Sequence, residues 1–401
     1  MKLSLDWSSR VRNCSQAIRN SCGALCVSLL AAAAGLAAGP ATAAEPIRIG
    51  AILAVTGPAS YLGDPELKVL QQYVAQWNAQ GGLLGRPVQL VYYDDAGSAD
   101  KARTDANRLL TEDKVDVIIG GTTTGTTMAA APLAERFQRP LISLAGGIDI
   151  IDPVKQWVFK VPHTDRMAAQ RILTHMQGRG FKKLALISET AGFGQSGRKE
   201  TLATAKAMGI EVVADETFAP TDTDMTAQLT RINGSSGADV VLCFGAGQGP
   251  AILTRNYRQL AIKLPLYQSH GVASNQFIEL AGPAANGVLL PSPPILVASQ
   301  LPDTDVQKAV VVRFAGEYLQ RWQQPPSTYA AYAYDALLIL ADAVKRAGGT
   351  DPEKLRSAIE QTQGLVGTNG VFTMTPKDHN GIQFDSMRML EIRDGQWTLA
   401  N

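Results

Sequence analysis

The sequence reads Val-Asp-Val-Ile-Ile-Gly-Gly-Thr-Thr-Thr-Gly-Thr-Thr over residues 115–127, and residues 128–137 follow with helical apolar spacing. This stretch predicts a strand, a tight turn rich in hydroxyl groups and the beginning of a helix. The first backbone N–H groups of a helix lack intrahelical partners and lie at the positive end of the helix dipole, so they can bind a carboxylate or a phosphate. From these residues alone two interpretations stay open: an anion site, or threonine side chains that only cap the helix.

Short β-branched runs alternate with helical periods on both sides of this stretch. Strands are predicted over residues 47–53, 88–94, 115–119, 140–144, 183–188, 211–218, 239–244 and 264–268. Helices are predicted over residues 66–78, 99–111, 128–137, 165–177, 195–208, 224–232, 250–260 and 274–280. Such alternation is typical of parallel sheets, and the two series of strands predict two sheets, each with helices on both faces.

The chain is expected to cross between two lobes more than once. Crossings are predicted near residues 157–162 and near the Pro-rich residues 287–294. The long helices predicted over residues 305–322 and 329–346 have no strands of their own, so they must pack on an earlier lobe, and residues 386–393 are again strand-like. More than one crossing is what a hinge requires if two lobes are to close on a ligand.

The first 44 residues have the composition of an export signal. Four basic residues within the first 19 precede an apolar and small-residue run from Gly23 to Gly39, and Ala41-Thr42-Ala43 supplies the small residues of a cleavage site. We expect cleavage near Ala43 or Ala44 and a periplasmic protein. The alternative is an uncleaved membrane anchor, but a run of about 17 residues is shorter than the roughly 20 of a spanning helix.

Charge and cysteine content narrow the classes of partner. The chain has 37 Lys and Arg against 36 Asp and Glu; the leader removes four basic residues and one acidic residue, which leaves 33 against 35 and a net charge of −2. Binding of nucleic acid or of an anionic membrane needs a cluster of basic residues, and the chain after the leader has no excess of Lys and Arg over Asp and Glu. Cys243 stands alone after the leader, within an apolar run, so we expect a buried thiol and no intrachain disulfide.

One segment matches the sequence pattern of a dinucleotide-binding site. Residues 192–197, Gly-Phe-Gly-Gln-Ser-Gly, satisfy G-x-G-x-x-G, and Asp215 ends the next predicted strand. An exported NAD(P)-dependent oxidoreductase that uses this loop is therefore an alternative function. Against it, residues 189–191 separate the strand from the first glycine, and Phe193 would crowd a diphosphate. We favour a protein without a cofactor.

Other catalytic and metal-binding patterns are absent from the sequence. It contains neither G-x-S-x-G nor H-E-x-x-H, and its four histidines are widely separated. Asp94-Asp95 lies at a strand end and the pair Asp222 and Asp224 at a helix start, where carboxylates commonly serve as caps. We therefore expect a protein that is not an enzyme and that has no catalytic residues and no metal ligands.

An ordered set of short motifs resembles the leucine/isoleucine/valine-binding proteins of bacterial ABC importers. The motifs are Ile49-Gly50-Ala51, Thr56-Gly57-Pro58, Gly63-Asp64, residues 78–85, Tyr93-Asp94-Asp95, Ile119-Gly120 and residues 140–143. The resemblance runs from about residue 45 to the end. It implies a type I periplasmic-binding-protein fold: an α/β protein with two Rossmann-like lobes, each with a parallel sheet, joined by a three-crossing hinge.

The same resemblance implies domain boundaries and partners. The N-terminal lobe would comprise residues 45–160 plus 288–372, and the C-terminal lobe residues 161–287 plus 373–401. A monomer of this kind closes on a small carboxylate ligand and docks on the membrane permease subunits of an ABC importer, with no nucleic acid involved. A sensory ligand-binding module is a further alternative.

In that family the ligand's carboxylate is held by the hydroxyl loop after the third strand and by backbone after the fourth. These positions match Thr124 with Gly125, and Ala145 with Gly146. The second lobe usually adds an aromatic ring, which matches Phe193. We therefore expect these five residues to contact the ligand.

Two further family positions lack their usual aromatic ring. In the loop after the first strand, Leu62 stands where the family has an aromatic residue, although Tyr61 adjoins it. In the second lobe no aromatic residue occurs near Ala246 or Gly247. The resemblance thus adds Tyr61, Leu62 and Gly247 to the candidate site and implies a roomier pocket on that side.

Two departures concern the ligand's ammonium group. The family usually places a hydroxyl after the fourth-strand backbone and an acidic residue in the second lobe, where this chain has Gly147 and His270. Imidazole is a poor partner for an ammonium. We expect an aromatic or medium-chain organic acid, with His270 donating a hydrogen bond to a second polar group. The alternative is an amino acid receptor in which His270 only packs and Asp149 or Glu189 binds the ammonium.

Overall fold

The computed structural model describes residues 45–235 and 237–400 of the 401-residue chain. The predicted export signal at residues 1–44 lies outside these residues. Within the described ranges, no helix has both the length and the apolar character that a membrane crossing demands.

The first lobe is built on a five-stranded parallel sheet. Its strands are β1 (Ile47–Leu53), β2 (Val88–Asp94), β3 (Val117–Gly120), β4 (Leu141–Ser143) and β5 (Val158–Lys160), in the order β2-β1-β3-β4-β5. Helices α1 (Ser60–Ala79), α2 (Ala99–Thr111) and α3 (Thr124–Phe137) connect them. Apart from Val91 in the edge strand β2, the β-branched residues of these strands are buried because helices cover both faces of the sheet.

The second lobe is built on a seven-stranded sheet. Five strands run parallel: β6 (Lys183–Glu189), β7 (Glu211–Phe218), β8 (Val240–Phe244), β9 (Leu266–Gln268) and β10 (Leu289–Ser292). Its helices are α4 (Asp165–Gly178), α5 (Gly192–Met208), α6 (Thr226–Ser235), α7 (Gly249–Gln259) and α8 (Asn275–Ala281).

The last part of the chain contributes helices to the first lobe and strands to the second. Helices α9 (Lys308–Trp322), α10 (Thr328–Ala347) and α11 (Pro352–Glu360) join the core of the first lobe, followed by a short hairpin of β11 (Leu365–Val366) and β12 (Val371–Phe372). Strands β13 (Arg388–Arg393) and β14 (Gln396–Leu399) then extend the second sheet antiparallel, in the order β14-β13-β10-β9-β8-β6-β7. The α/β fold with two lobes and parallel sheets is as predicted.

The crossings between the lobes refine the predicted boundaries. Strand β10 pairs with β9 of the second sheet, so the chain is still in the second lobe at Ser292. Phe372, Met374 and Ile382 pack in the core of the first lobe. We therefore propose that the second crossing follows residue 292 and that the third lies near residue 383, rather than at residues 288 and 373.

The two faces of the first sheet carry different helices, and this positions the site. Helices α1 and α10 pack on one face, and α2 and α3 pack on the other. The loops that leave β1, β3 and β4 emerge at the carboxyl edge of the sheet, between these layers. In open α/β sheets this edge is where ligands bind.

Candidate ligand-binding site

A cavity of about 420 Å³ lies between the lobes, bordered by loops that follow strands of both sheets. Eight of the ten residues predicted to bind ligand line it: Leu62, Thr124, Gly125, Ala145, Gly146, Phe193, Gly247 and His270. Tyr61 and Gly147 do not line the cavity, although each contacts a residue that does. The fold thus brings together residues far apart in sequence, and their role in binding stays a prediction.

Most threonine hydroxyls of the 122–127 turn have structural partners. Thr123 is the N-cap of α3, and its side chain and that of Thr126 bond reciprocally to each other's backbone N–H. The Thr127 hydroxyl donates to the Gly121 carbonyl oxygen at 2.9 Å, and the Thr122 hydroxyl to Glu66 Oε2 at 2.6 Å. The capping interpretation is therefore correct for Thr123 and Thr126.

Thr124 differs from its neighbours because it borders the cavity at the first turn of α3. Its Oγ1 accepts a hydrogen bond from the Gly147 N–H at 3.2 Å. A Cβ on Gly147 would lie 2.5 Å from Thr124 Cγ2 and 2.8 Å from Thr124 Oγ1. Gly147 thus lacks the family's hydroxyl for a steric reason: Thr124 occupies the space that a side chain there would need.

The first turns of two helices approach each other at the cavity. Gly192 begins α5 in the second lobe, and a Cβ on it would lie 3.3 Å from the Gly125 backbone nitrogen of α3. The N-cap residue of α5, Ala191, offers no side-chain cap. Both helices therefore present backbone N–H groups and the positive ends of their dipoles at one place.

The glycines of the 192–197 segment are explained by packing. A Cβ on Gly194 would overlap the Glu189 backbone, and a Cβ on Gly197 would overlap the Phe244 ring. Phe193 is buried against Phe244 and His270. The G-x-G-x-x-G pattern here lets a helix pack closely on strands β6 and β8.

His270 is buried beside the fourth-strand loop. A Cβ on Gly146 would lie only 2.7 Å from His270 Nε2 and 2.8 Å from Phe193 Cε2. Neither ring nitrogen of His270 has a hydrogen-bond partner of good geometry among the described residues. Burial, together with the charge of Lys160, lowers the pKa of His270 to about 3, against an interaction with the His163 backbone that favours the charged form, so the ring is neutral.

Glu189 is the acidic residue that borders the cavity, at the end of β6. Burial raises its pKa to about 7, against hydrogen bonds from the Ala246 and Gly194 backbone that favour the charged form. The Ala246 N–H donates to Glu189 Oε2 at 3.0 Å. Asp149, the other candidate ammonium partner, instead forms an ion pair with Lys199 at 3.0 Å and does not border the cavity.

Two tyrosines of α10, Tyr329 and Tyr332, also line the cavity but were not predicted from the sequence. The Tyr329 hydroxyl donates to the Gly271 carbonyl oxygen of the second lobe at 2.7 Å. Their i, i+3 spacing places both on one side of the helix, but the sequence does not indicate which side faces the cavity.

Two α/β lobes that enclose a cavity at the carboxyl ends of their strands define a two-lobed ligand-binding receptor. A family model described as "Periplasmic binding protein" matches residues 46–396. The chain therefore belongs to the periplasmic binding protein family, within the group of the leucine/isoleucine/valine-binding proteins. This confirms the family resemblance found in the sequence, and the family is one of periplasmic solute-binding receptors rather than enzymes.

Known relatives extend over most of the chain. The Leu/Ile/Val-binding protein BraC3 of Rhizobium johnstonii is 26% identical over 346 residues, which cover 85% of this chain and 90% of the relative. An extracellular ligand-binding receptor from Rhodopseudomonas palustris superposes with a TM-score of 0.83 at 28% identity, covering 89% of this chain and 100% of its own. The Streptococcus pneumoniae substrate-binding protein LivJ, solved with isoleucine, gives a TM-score of 0.79 at 25% identity, with coverages of 89% and 99%.

Proposed function

We propose that this protein is the solute receptor of an ABC importer and that it closes on a small carboxylate ligand that lacks an α-ammonium group. The observation that carries the proposal is the meeting of the α3 and α5 N-termini at the cavity, at Gly125 and Gly192. Among the described residues no Lys or Arg borders the cavity, so helix N–H groups and dipoles are what it offers to an anion.

The choice of an organic acid rests on His270. A neutral imidazole can donate a hydrogen bond to an oxygen atom of the ligand, but it cannot neutralise an ammonium. The rest of the wall is rich in apolar groups such as Leu62, Phe193 and Pro220. A volume of about 420 Å³ leaves room for an aromatic or medium-chain acid.

A second candidate ligand class is a branched-chain or other α-amino acid, and Glu189 favours it. This carboxyl group borders the cavity and has no Lys or Arg among its hydrogen-bond partners. An ammonium close to it would stabilise the ionised form. LivJ from Streptococcus pneumoniae, which is 25% identical to this chain, was solved with isoleucine, and this supports an α-amino acid as the second candidate.

Calorimetry separates the two classes. The exported form would be unfolded and refolded to remove retained ligand, and then titrated with leucine, valine, benzoate and 4-hydroxycinnamate. We expect micromolar or tighter binding of an organic acid and no heat from leucine. Tight leucine binding would contradict the organic-acid proposal and favour the amino acid receptor.

The cellular role is proposed on the family resemblance and the leader. We infer that the chain is exported to the periplasm, is cleaved near Ala43 or Ala44, and delivers its ligand as a monomer to permease subunits. The intact mass of the protein from a periplasmic extract, together with light scattering, tests these points. A retained leader or a stable dimer would contradict them.

A further inference from the structure

Tyr332 has a buried hydroxyl group with no assigned role. The residue lies on α10, is only 2% exposed and borders the cavity. Its hydroxyl has no hydrogen-bond partner of good geometry among the described residues. Thr328, one turn earlier, interacts with the Tyr332 hydroxyl but can only accept from it, because Thr328 donates its own hydroxyl proton to the Ala273 carbonyl oxygen at 2.9 Å. Buried polar groups are normally paired, so an unpaired phenol on a residue that borders a cavity is a candidate to bond with a ligand atom.

The polar groups close to Tyr332 do not pair its hydroxyl with good geometry. Tyr329, one turn earlier on the same helix, donates to the Gly271 carbonyl oxygen across the cleft. The Glu66 carboxyl group acts on Tyr332; its Oε2 accepts from Thr122, and its Oε1 has no partner of good geometry among the described residues. On this wall of the cavity the Tyr332 hydroxyl therefore remains free to bond with a ligand.

Tyr332 and the proposed carboxylate site belong to helices on opposite faces of the first sheet. Tyr332 belongs to α10, which packs with α1 on one face, whereas Thr124 and Gly125 begin α3 on the opposite face. A ligand whose carboxylate contacts the N-terminus of α3 must extend across the cavity to reach Tyr332.

We propose that Tyr332 recognises a hydroxyl or carbonyl oxygen at the end of the ligand remote from its carboxylate. This proposal rests on the proposed function and narrows it to acids with a distal oxygen, such as para-hydroxylated aromatic acids. The contact acts on specificity: a ligand with a distal oxygen pairs the buried phenol, whereas an apolar ligand leaves it unpaired and gains no such bond.

The test is a pair of ligand series on the full exported protein and on Tyr332→Phe. Benzoate is compared with 4-hydroxybenzoate, and cinnamate with 4-hydroxycinnamate, because two lengths sample the span of the cavity. We expect the wild type to bind one hydroxylated acid about five to ten times more tightly than its parent acid. In Tyr332→Phe that preference should disappear, while the parent acid binds unchanged or more tightly.

Tyr329→Phe is the matched control. It removes a phenol of the same helix that bonds across the cleft, so both members of each pair should weaken and their ratio should be retained. An unchanged ratio in Tyr332→Phe, or no preference in the wild type although the parent acids bind, overturns the Tyr332 proposal and leaves the proposed function intact. Binding of none of the four acids contradicts the proposed ligand class, and the Tyr332 proposal with it.

Thermal unfolding of the ligand-free variants gives a readout that needs no ligand. Since the Tyr332 hydroxyl has no partner, Tyr332→Phe should unfold at the wild-type temperature or above it. A clear fall in its melting temperature would show that the hydroxyl has a structural partner, and would overturn the proposal whichever acids bind.

Discussion

The Tyr61 hydroxyl donates a hydrogen bond to the Gly247 carbonyl oxygen at 2.5 Å and so joins the first turn of α1 to the loop between β8 and α7. Tyr329 makes a parallel bond to Gly271, and the rings of the two tyrosines meet edge to face with centroids 6.2 Å apart. Both bonds connect one lobe to the other. They stabilise the closed arrangement and are lost when the lobes separate, so they favour closure whatever ligand is present.

The first prediction concerns this interlobe bond. Tyr61→Phe should weaken the binding of every ligand by about three- to tenfold, because a typical net hydrogen bond contributes about 0.5–1.5 kcal/mol. Calorimetry on two different acids would measure it. Tyr73→Phe is the control, since the Tyr73 hydroxyl bonds to Glu317 within the first lobe. Equal loss of affinity in both variants would contradict a role of Tyr61 in closure.

The second prediction concerns Gly146, a glycine of the cavity. Gly146→Ala would place a Cβ 2.7 Å from His270 Nε2 and 2.8 Å from Phe193 Cε2, rings that are buried and cannot move freely. Ligand affinity should fall more than about tenfold, because either the rings move into the cavity or the lobes stay apart. Small-angle scattering with excess ligand distinguishes the two causes, because only lobes that stay apart would give a larger radius of gyration than the wild type.

Gly316→Ala is the matched control for this prediction. Gly316 is an exposed residue of α9 outside the cavity lining, and a Cβ there has no neighbour within 4 Å. Its affinity should remain within about threefold of the wild type. A loss in Gly316→Ala as large as in Gly146→Ala would argue against the close packing of Gly146 as the cause.

The sequence predicts strands and helices best where apolar spacing is strong. Strands β1, β2 and β7 and helix α2 have the predicted bounds. Helices α1, α3 and α5 begin six, four and three residues earlier than predicted. Their first turns consist mostly of Gly, Thr, Ser and Pro, which carry no apolar period. Helix α11 was missed, although Asp351 as N-cap followed by Pro352 is a recognisable start signal.

The residues of the candidate site likewise fall into those that the sequence predicts and those that it does not. Thr124, Gly146 and Phe193 follow strands, so topology places them at the cleft once the parallel sheets are predicted. Tyr329 and Tyr332 reach the cavity from α10, through a tertiary contact that local pattern cannot locate. The sequence also could not decide between Asp149 and Glu189, because their difference lies in burial and in the Lys199 ion pair.

The third prediction is the sign of the pH dependence. Glu189, with a pKa of about 7, is the residue bordering the cavity that titrates near neutrality, because His270 stays neutral with its pKa of about 3. An organic acid is repelled by ionised Glu189, so its affinity should fall as pH rises through 7 and be constant below. An ammonium ligand needs ionised Glu189, so its affinity should rise with pH up to about 7 and then level off.

Glu189→Gln isolates this effect. Lys160 and Asp165, near the first crossing, also have pKa values moved toward neutrality by burial, and they would contribute equally in both proteins. Calorimetry between pH 5.5 and about 8.5 should therefore show a steeper pH dependence of affinity in the wild type than in the variant. An identical slope in the two proteins would assign the pH dependence to the hinge rather than to the cavity.

The same variant tests the effect of Glu189 on folding. The neutral form of Glu189 is favoured in the folded protein, because its pKa is raised from 4.5 to about 7. Folded protein thus binds more protons than unfolded protein in this interval, and stability falls as pH rises from about 4.5 to 7. Glu189→Gln should be more stable than the wild type at pH 8, by on the order of 2 kcal/mol, and closer to it at pH 5. Urea denaturation at the two pH values measures this.

The last prediction concerns a variant that should change the preferred class of ligand from organic acids to amino acids. His270→Glu places a carboxylate where leucine/isoleucine/valine-binding proteins usually have an acidic residue, beside the loop of Ala145 and Gly146. A buried carboxylate there repels an organic acid and attracts an ammonium. The variant should lose at least about tenfold in affinity for organic acids and gain a similar factor for leucine. His270→Gln, which is neutral and keeps a donor, should retain organic acids within about threefold. The contrary outcome is that His270→Glu gains no leucine affinity while His270→Gln still binds organic acids. That outcome would show that His270 is not the residue that excludes the ammonium. The remaining barrier would then be Thr124, which occupies the space of a side chain at Gly147.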